Sequence, residues 1–360
     1  MTILDRYILR QFISTLIFSL FALCLIFLVV NLLESLDDFL DKKASVWVIA
    51  EYYLHFFPEI LKLLTPIAAL ISSLFSIGRL STANEITAMK SGGMSLQRLL
   101  LPLFFVSIIL SCGQLYFNGW MVPVSNGKKA AIERKYLHRG SESTTVYNLY
   151  FRDEPLRNVI IQIYDATKKS GTSVTIEEYS DEYAPKLTKR IDAASVSWDS
   201  TRTGWKATDV IERDYSPTAI TYKHRADGAI NIKLTHDQIV QLQRSTAEMN
   251  FNELRSYIDL LARGGKDVRA QLIDYYGQYA FPFASVIVVL FGVPFASVRK
   301  KSGMAVNIAA AMVISFCYLA FTKIGQSLGA PLNVSAALVG WMPNILFFIV
   351  ALANIIRTPK

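Results

Sequence analysis

Residues 12–33 read FISTLIFSLFALCLIFLVVNLL, an apolar run without Asp, Glu, Lys or Arg. A helix crosses a bilayer with about 20 mostly apolar residues, so this run predicts a membrane span. It is too long, and wrongly flanked, for a cleaved signal peptide. Outward from it, five further stretches qualify: residues 56–77 (with an amphipathic lead-in from Val46), 99–122, 279–298, 304–324 and 335–356. Prolines Pro58, Pro66, Pro102, Pro282, Pro294 and Pro343 lie at span ends or inside spans. That is tolerated where neighbouring helices satisfy the freed carbonyls.

Composition agrees. Of 360 residues, 52% are hydrophobic and 18% charged, against about 25% charged in an ordinary soluble domain. A soluble enzyme, a disordered chain and a disulfide-stapled secreted scaffold all fit poorly. The net charge of +8 could point to nucleic acid, but much of it sits in short loops that orient membrane proteins. With the N-terminus inside, the cytoplasmic side holds Arg6, Arg10, Arg79, Lys90, Arg98, Arg299, Lys300, Lys301, Arg357 and Lys360. The short outer loops hold Lys42 and Lys43, with Lys323 near a span end. This asymmetry predicts both termini in the cytoplasm. Cys24, Cys112 and Cys317 each lie in an apolar run and read as small buried hydrophobes.

The segment 125–271 lies between spans three and four and must face the non-cytoplasmic side. Its short alternating runs predict strands at 145–151, 158–164, 173–179, 186–193, 195–199, 204–215, 218–224 and 229–234. Turns are expected at Asp153-Glu154-Pro155, Lys169-Ser170-Gly171, Ser216-Pro217 and Asp227-Gly228. Eight strands in two sheets would form a jelly-roll-like sandwich. A helix follows over about 251–263, ended by Gly264-Gly265, and is expected to lie at the membrane surface. The expected organisation is therefore residues 1–124 with spans one to three, 125–271 as the β domain, and 272–360 with spans four to six.

No P-loop, H-E-x-x-H, C-x-x-C or G-x-S-x-G motif is present, and the four histidines are scattered. This predicts neither catalytic residues, nor a metal site, nor a cofactor bound by the chain itself. Three features remain. The stretch NEITAMKSGGMS (84–95) predicts a short cytoplasmic helix, over about 80–92, carrying one acid, Glu85. It reads either as a connecting helix or as a coupling helix docked on a partner. Lys42, Lys43, Lys62 and Lys323 are expected at one depth, the outer-leaflet headgroup level. Each alone could simply snorkel; four together favour an anionic amphiphile such as a phosphorylated headgroup. In the β domain, Val159, Ile161 and Ile163 could line a slot for acyl chains or form an ordinary core.

LDRYIL (4–9), NEITAMKSGGMS (84–95), ELRSYI (253–258), FGVPF (291–295) before RKKSG (299–303), and GWMPN (340–344) occur in this order. Together they resemble the lipopolysaccharide export permease family. The resemblance implies an inner-membrane ABC transporter subunit with a periplasmic β-jelly-roll. It further implies a homologous paired permease, a cytoplasmic ABC ATPase dimer that uses the ATP, and a single-span periplasmic jelly-roll protein. Lipopolysaccharide would leave the outer leaflet for a periplasmic bridge. Glu85 falls at the acid of the family's coupling helix. Lys42 and Lys43 match its lipid A phosphate region, Lys62 matches loosely, and Lys323 rests on depth alone. Two other classes stay open: a membrane-anchored periplasmic ligand sensor, and a secondary carrier of another amphiphile. The sensor would need a cytoplasmic output domain, and the carrier would need mid-span ionisable residues.

Overall fold

The structure is a computed structural model that describes residues 2–137, 145–181, 184–201, 203–216, 219–242, 244–297, 303–329 and 334–357. The expected basic turn at Arg299–Ser302, Lys360 and the turn residue Pro217 lie outside the described residues. The chain divides into a helical unit, Met1–Arg139 with Arg269–Lys360, and a second unit, Gly140–Val268.

The helical unit begins with α1 (Ile3–Asp41), opened by a capping box between Thr2 and Asp5. α2 (Val46–Thr82) follows, with Ser45 as its N-cap and Pro58 and Pro66 inside it. α3 (Glu85–Ser91) and α4 (Leu96–Tyr116) come next. A π-helical turn, Phe117–Met121, then joins α4 to α5 (Val122–Tyr136). Helix therefore runs well past the boundary expected after residue 124. Pro123 suits a helix start, and Lys129–Glu133, an i,i+4 ion pair at 3.9 Å, supports the turns beyond it. Five stretches of described helix are long and apolar enough to cross a membrane: Ile3–Asp41, Val46–Thr82, Gln97–Tyr136, Arg269–Ser297 and Ala336–Arg357. A shorter apolar stretch is Ala309–Gly325. Cys24 is buried, but Cys112 and Cys317 are exposed, because their apolar runs present one side outward rather than to the bundle.

The helical core joins Phe12 of α1, Leu70, Leu74 and Ile77 of α2, and Leu103 of α4 to residues further along the chain. Bilayer lipid is as apolar as leucine, so close backbone approach, not hydrophobicity, holds such helices together. Two glycines of the motifs quoted above permit it. A Cβ on Gly292 would collide with Ser73 Oγ, and one on Gly340 would meet Gly277 N at 2.8 Å.

The second unit holds strands β1 (Thr145–Glu154), β2 (Arg157–Asp165), β3 (Ser170–Tyr179), β4 (Leu187–Asp199), β5 (Gly204–Tyr215) and β6 (Ile220–Ile230). They form one antiparallel sheet in the order β1-β2-β3-β4-β5-β6. This corrects the expected eight strands in two sheets. The runs 186–193 and 195–199 are one strand, and the presumed turn Asp227-Gly228 lies inside β6.

The reason is a line of irregular backbone across the sheet. Asn148, Ser173 and Asp209 have φ of 53°, 53° and 52°, a left-handed conformation that interrupts side-chain alternation. They stand on alternate strands. On one side of them lies the paired row Leu149, Ile161, Val174, Ala193 and Val210. On the other lies the row Val146, Tyr164, Gly171, Val196 and Ala207. Two outward or half-outward residues separate these rows in every one of the five strands. The inward face thus resumes one residue out of phase, and both rows enter a single core with Trp205 and Ile230.

The sheet is followed by α6 (His236–Gln241) and α7 (Phe251–Arg263), the latter capped reciprocally by Asn250 and Glu253. α7 buries Phe251, Leu254 and Ile258, and Leu260 packs on the sheet core. Its apolar side is therefore largely buried. Back in the helical unit come α8 (Arg269–Ala280), a 3-10 turn at Phe281–Phe283, α9 (Ala284–Ser297), α10 (Gly303–Leu328) and α11 (Ala336–Arg357).

Candidate functional site

The expected cations fall into two groups. Lys42 is the C-cap of α1, and Lys43 sits in the left-handed region with φ of 52°. Both are exposed on the turn into α2, beside exposed Leu40, Val46 and Trp47. Such a mixture of cations and an aromatic suits a membrane interface. Lys62 and Lys323 form the second group. Lys62, half-buried on α2, is within electrostatic reach of Glu59 and of Lys323 on α10. Lys323 is exposed and within reach of Asp274 on α8.

The helix separates Lys62 from the turn that carries Lys42 and Lys43. α2 is continuous from Val46, and at 1.5 Å per residue Lys62 stands about 24 Å along it. The expected amphipathic lead-in is the first part of the same helix.

A neighbouring polar network has no counterpart among the expected features. Lys129 pairs with Glu59, its ammonium lies 4.8 Å from the centroid of the Phe56 ring, and Tyr52 donates to Glu133 at 3.1 Å. Lys129 and Glu133 fall in the segment expected to be β domain. The signal that could have found them is the i,i+4 spacing of the two charges directly after an apolar run.

The backbone at Lys62 is held by a relay of two buried side chains. The carbonyl of Lys62 accepts from Gln114 Nε2 at 3.0 Å, and Gln114 Oε1 accepts from Ser285 Oγ at 3.0 Å. Gln114 is 6% exposed and Ser285 fully buried.

Glu85 is the first residue of α3, after Asn84 in the left-handed region with φ of 60°. Tyr7 donates to Glu85 Oε1 at 3.4 Å. The helix turns its apolar side inward: Ile86 is 3% exposed in the helical core, and Met89 packs against that core. Its outward side is Thr87, Ala88 and the Ser91-Gly92-Gly93 end. Nearby, Asp5 accepts from Thr2 N at 2.8 Å and pairs with Arg98 at 3.2 Å, tying the start of α1 to that of α4.

In the β unit, Val159 and Ile161 are fully buried in the sheet core. Ile163 is 42% exposed. Strict alternation predicts it beside the other two; the phase slip at the Asn148–Ser173–Asp209 line turns it outward and puts Tyr164 in its place.

Several long apolar helices that carry charged residues, together with a separate antiparallel β unit, are the pattern of a polytopic membrane protein. Residues 6–357 match the family described as Lipopolysaccharide export system permease LptF/LptG, and the chain belongs to that family. It is 20% identical over 361 residues to the Lipopolysaccharide export system permease protein LptG of Escherichia coli (strain K12), covering 99% of this chain and 98% of that one. The protein of the same name from Haemophilus influenzae (strain Rd) is 18% identical over 348 residues, 96% of each chain. The chain is thus a transporter component, a permease subunit of lipopolysaccharide export.

Proposed function

We propose that this chain is a non-catalytic half of a permease pair in the bacterial inner membrane. It crosses the membrane six times, the helix Gly303–Leu328 being the fifth crossing. Both termini are cytoplasmic, and the β unit is periplasmic, where it takes the place of the family's jelly roll. A cytoplasmic ABC ATPase dimer hydrolyses ATP and pushes on the Glu85 helix. The bundle rocks, and a cavity between the paired permeases narrows. Lipopolysaccharide, drawn from the outer leaflet, leaves for the β unit, a single-span periplasmic partner and the bridge beyond. The chain itself binds no cofactor.

The observation that supports this reading is a half-buried lysine, Lys62, inside the long apolar helix α2, its carbonyl bonded to Gln114 of α4 and, through that amide, linked to Ser285 of α9. Each lysine inside a span costs about 2.5–3.5 kcal/mol. Glu59 and Asp274 lie within electrostatic reach of Lys62 and Lys323 and offset part of that cost; a lipid A phosphate has the charge to offset the rest. Lys42 and Lys43 would attract the same headgroup at the membrane surface. Acyl chains would reach Val159 and Ile161 only when the β unit opens its core.

Photo-crosslinking tests the path. A photoreactive residue replaces Leu40 in one variant and Ile161 in another, in membranes holding the ATPase and partner subunits. Lipopolysaccharide adducts at Leu40 without ATP, and at Ile161 only with ATP, are expected. Adducts at Leu40 alone would move the onward path to a partner. No adduct at either site would sink lipopolysaccharide as the substrate reaching these residues.

A further inference from the structure

In a regular helix the carbonyl of residue 62 accepts the N–H of residue 66. Residue 66 is Pro66, inside α2, which has no N–H to give. The carbonyl of Lys62 is therefore freed by the sequence of its own helix, inside a membrane, where a polar group without a partner is costly. It is Gln114 of α4 that supplies the missing donor, at 3.0 Å. The Gln114 amide is oriented in turn: Ser285 of α9 donates to its Oε1 at 3.0 Å, which leaves Nε2 to face the carbonyl. Three helices are thus linked in series to one backbone atom of the residue that carries the half-buried cation. Gln114 and Ser285 are 6% and 0% exposed, so water does not compete for these bonds.

We infer that Gln114 is a positioning residue for substrate binding: it holds the proline-broken turn of α2 so that the Lys62 ammonium keeps its place in the bundle, ready for a phosphate-bearing amphiphile. This rests on the reading of Lys62 as a substrate cation. The chemistry requires such a clamp. An ammonium is a point charge on a flexible stem, here drawn toward Glu59 and, more weakly, pushed away by Lys323. A turn lacking its own hydrogen bond would leave the position of that charge to these competing pulls. The serine and the glutamine carry no charge themselves, so their contribution passes through the backbone of Lys62.

The test uses the full chain in its complete transporter in proteoliposomes, with the initial rate of lipopolysaccharide extraction followed as its surface density is raised. Gln114→Met keeps volume and loses both bonds. The expected result is a half-saturating density raised about fivefold or more, with the maximal rate kept within about twofold, as for a lost hydrogen bond to a buried carbonyl that acts on binding. In a Lys62→Gln background the same change should add little. In a Pro66→Ala background, where residue 66 regains its N–H, its effect should shrink below about twofold. A second readout needs no substrate: in a Lys62→Cys variant, Gln114→Met should change the rate of labelling by a water-soluble charged thiol reagent about threefold or more. If Gln114→Met does not assemble, Ser285→Ala carries the test, with a smaller shift in the same direction. A lowered maximal rate at unchanged half-saturation overturns the inference, and so does an undiminished effect in the Pro66→Ala or the Lys62→Gln background. Were Lys62→Gln itself to leave half-saturation unchanged, the substrate role of Lys62 would fall. Labelling of the Lys62→Cys variant would still report whether Gln114 sets that turn.

Discussion

The hydroxyl of Tyr318 donates to Oδ1 of Asn344 at 2.7 Å, and Nδ2 of that amide donates to the carbonyl of Ala280 at 2.5 Å. Ala280 ends α8, where the N–H of Ala284 turns to Phe281 and Pro282 instead. The arrangement repeats the logic at Gln114: an amide from a neighbouring helix caps a carbonyl released at a proline-containing break, and a hydroxyl from a third helix orients the amide. Asn344 belongs to the GWMPN stretch, which gives that residue a physical task. Asn344→Leu is expected to lower stability by about 2 kcal/mol and Tyr318→Phe by about 1 kcal/mol, in the range measured for buried hydrogen bonds in membrane helices. Unfolding of the detergent-solubilised chain in graded dodecyl sulfate measures both. An unchanged Asn344→Leu midpoint would mean the bond contributes nothing.

The left-handed line across the β unit makes a second prediction. Ser173 holds φ of 53° in the middle of β3. A β-branched side chain there meets its own carbonyl, so Ser173→Val should destabilise the sheet by about 1–2 kcal/mol, although valine favours strands elsewhere. Ser173→Gly should be neutral or stabilising. Urea unfolding of the full chain, followed by the fluorescence of Trp198 and Trp205, whose ring centroids are 5.1 Å apart, tests the pair. If valine proved the more stable of the two, the line would not exist in solution.

Acidification should loosen the same unit in two stages. His236 is 8% exposed and its Nδ1 is 2.6 Å from the Tyr164 hydroxyl. Burial depresses its pKa below the ordinary 6.5, outweighing Asp237, which pulls it up; Lys169 adds to the depression. The unfolded chain therefore binds the proton first. Stability is full above about pH 6.5 and is lost as pH falls from there through the folded value. Glu212 behaves alike at lower pH: burial raises its pKa, but Lys189 and Arg225 together hold it below 4.5. Its contribution is present above about pH 4.5 and fades beneath it. The melting temperature of the β unit between about pH 7.5 and 4 should fall in these two steps, and His236→Gln should erase the first. A single step shared by both proteins would refute the assignment.

Glu85 yields a functional prediction. Since Ile86 and Met89 face the chain's own core, a partner meets the acid and the small polar side of α3, not an apolar stripe. Glu85→Lys should cut ATP-driven lipopolysaccharide release by about tenfold or more, as for a reversed interfacial charge, with insertion intact. Tyr7→Phe, which removes only a 3.4 Å bond, should cost little. Transport that survives the reversal would remove Glu85 from the coupling path.

The apolar runs, the loop-charge asymmetry and the insert of alternating strands were legible from residue order, because membrane length, charge and side-chain period are local properties. So was the short helix at Glu85, closed by Gly92 and Gly93. The phase of the strands was not. Asn148, Ser173 and Asp209 stand left-handed in one line across the sheet, at positions the strand pairing skips, and nothing in a serine or an aspartate alone announces that. Ile163 therefore turns outward where strict alternation turns it in. The electrostatic reach between Lys62 and Lys323, on two helices widely separated in sequence, depends on how the bundle packs. So does the donor for the Lys62 carbonyl. Pro66 determines that a carbonyl is freed; only the packing of α4 and α9 against α2 decides that Gln114, oriented by Ser285, is the group that satisfies it.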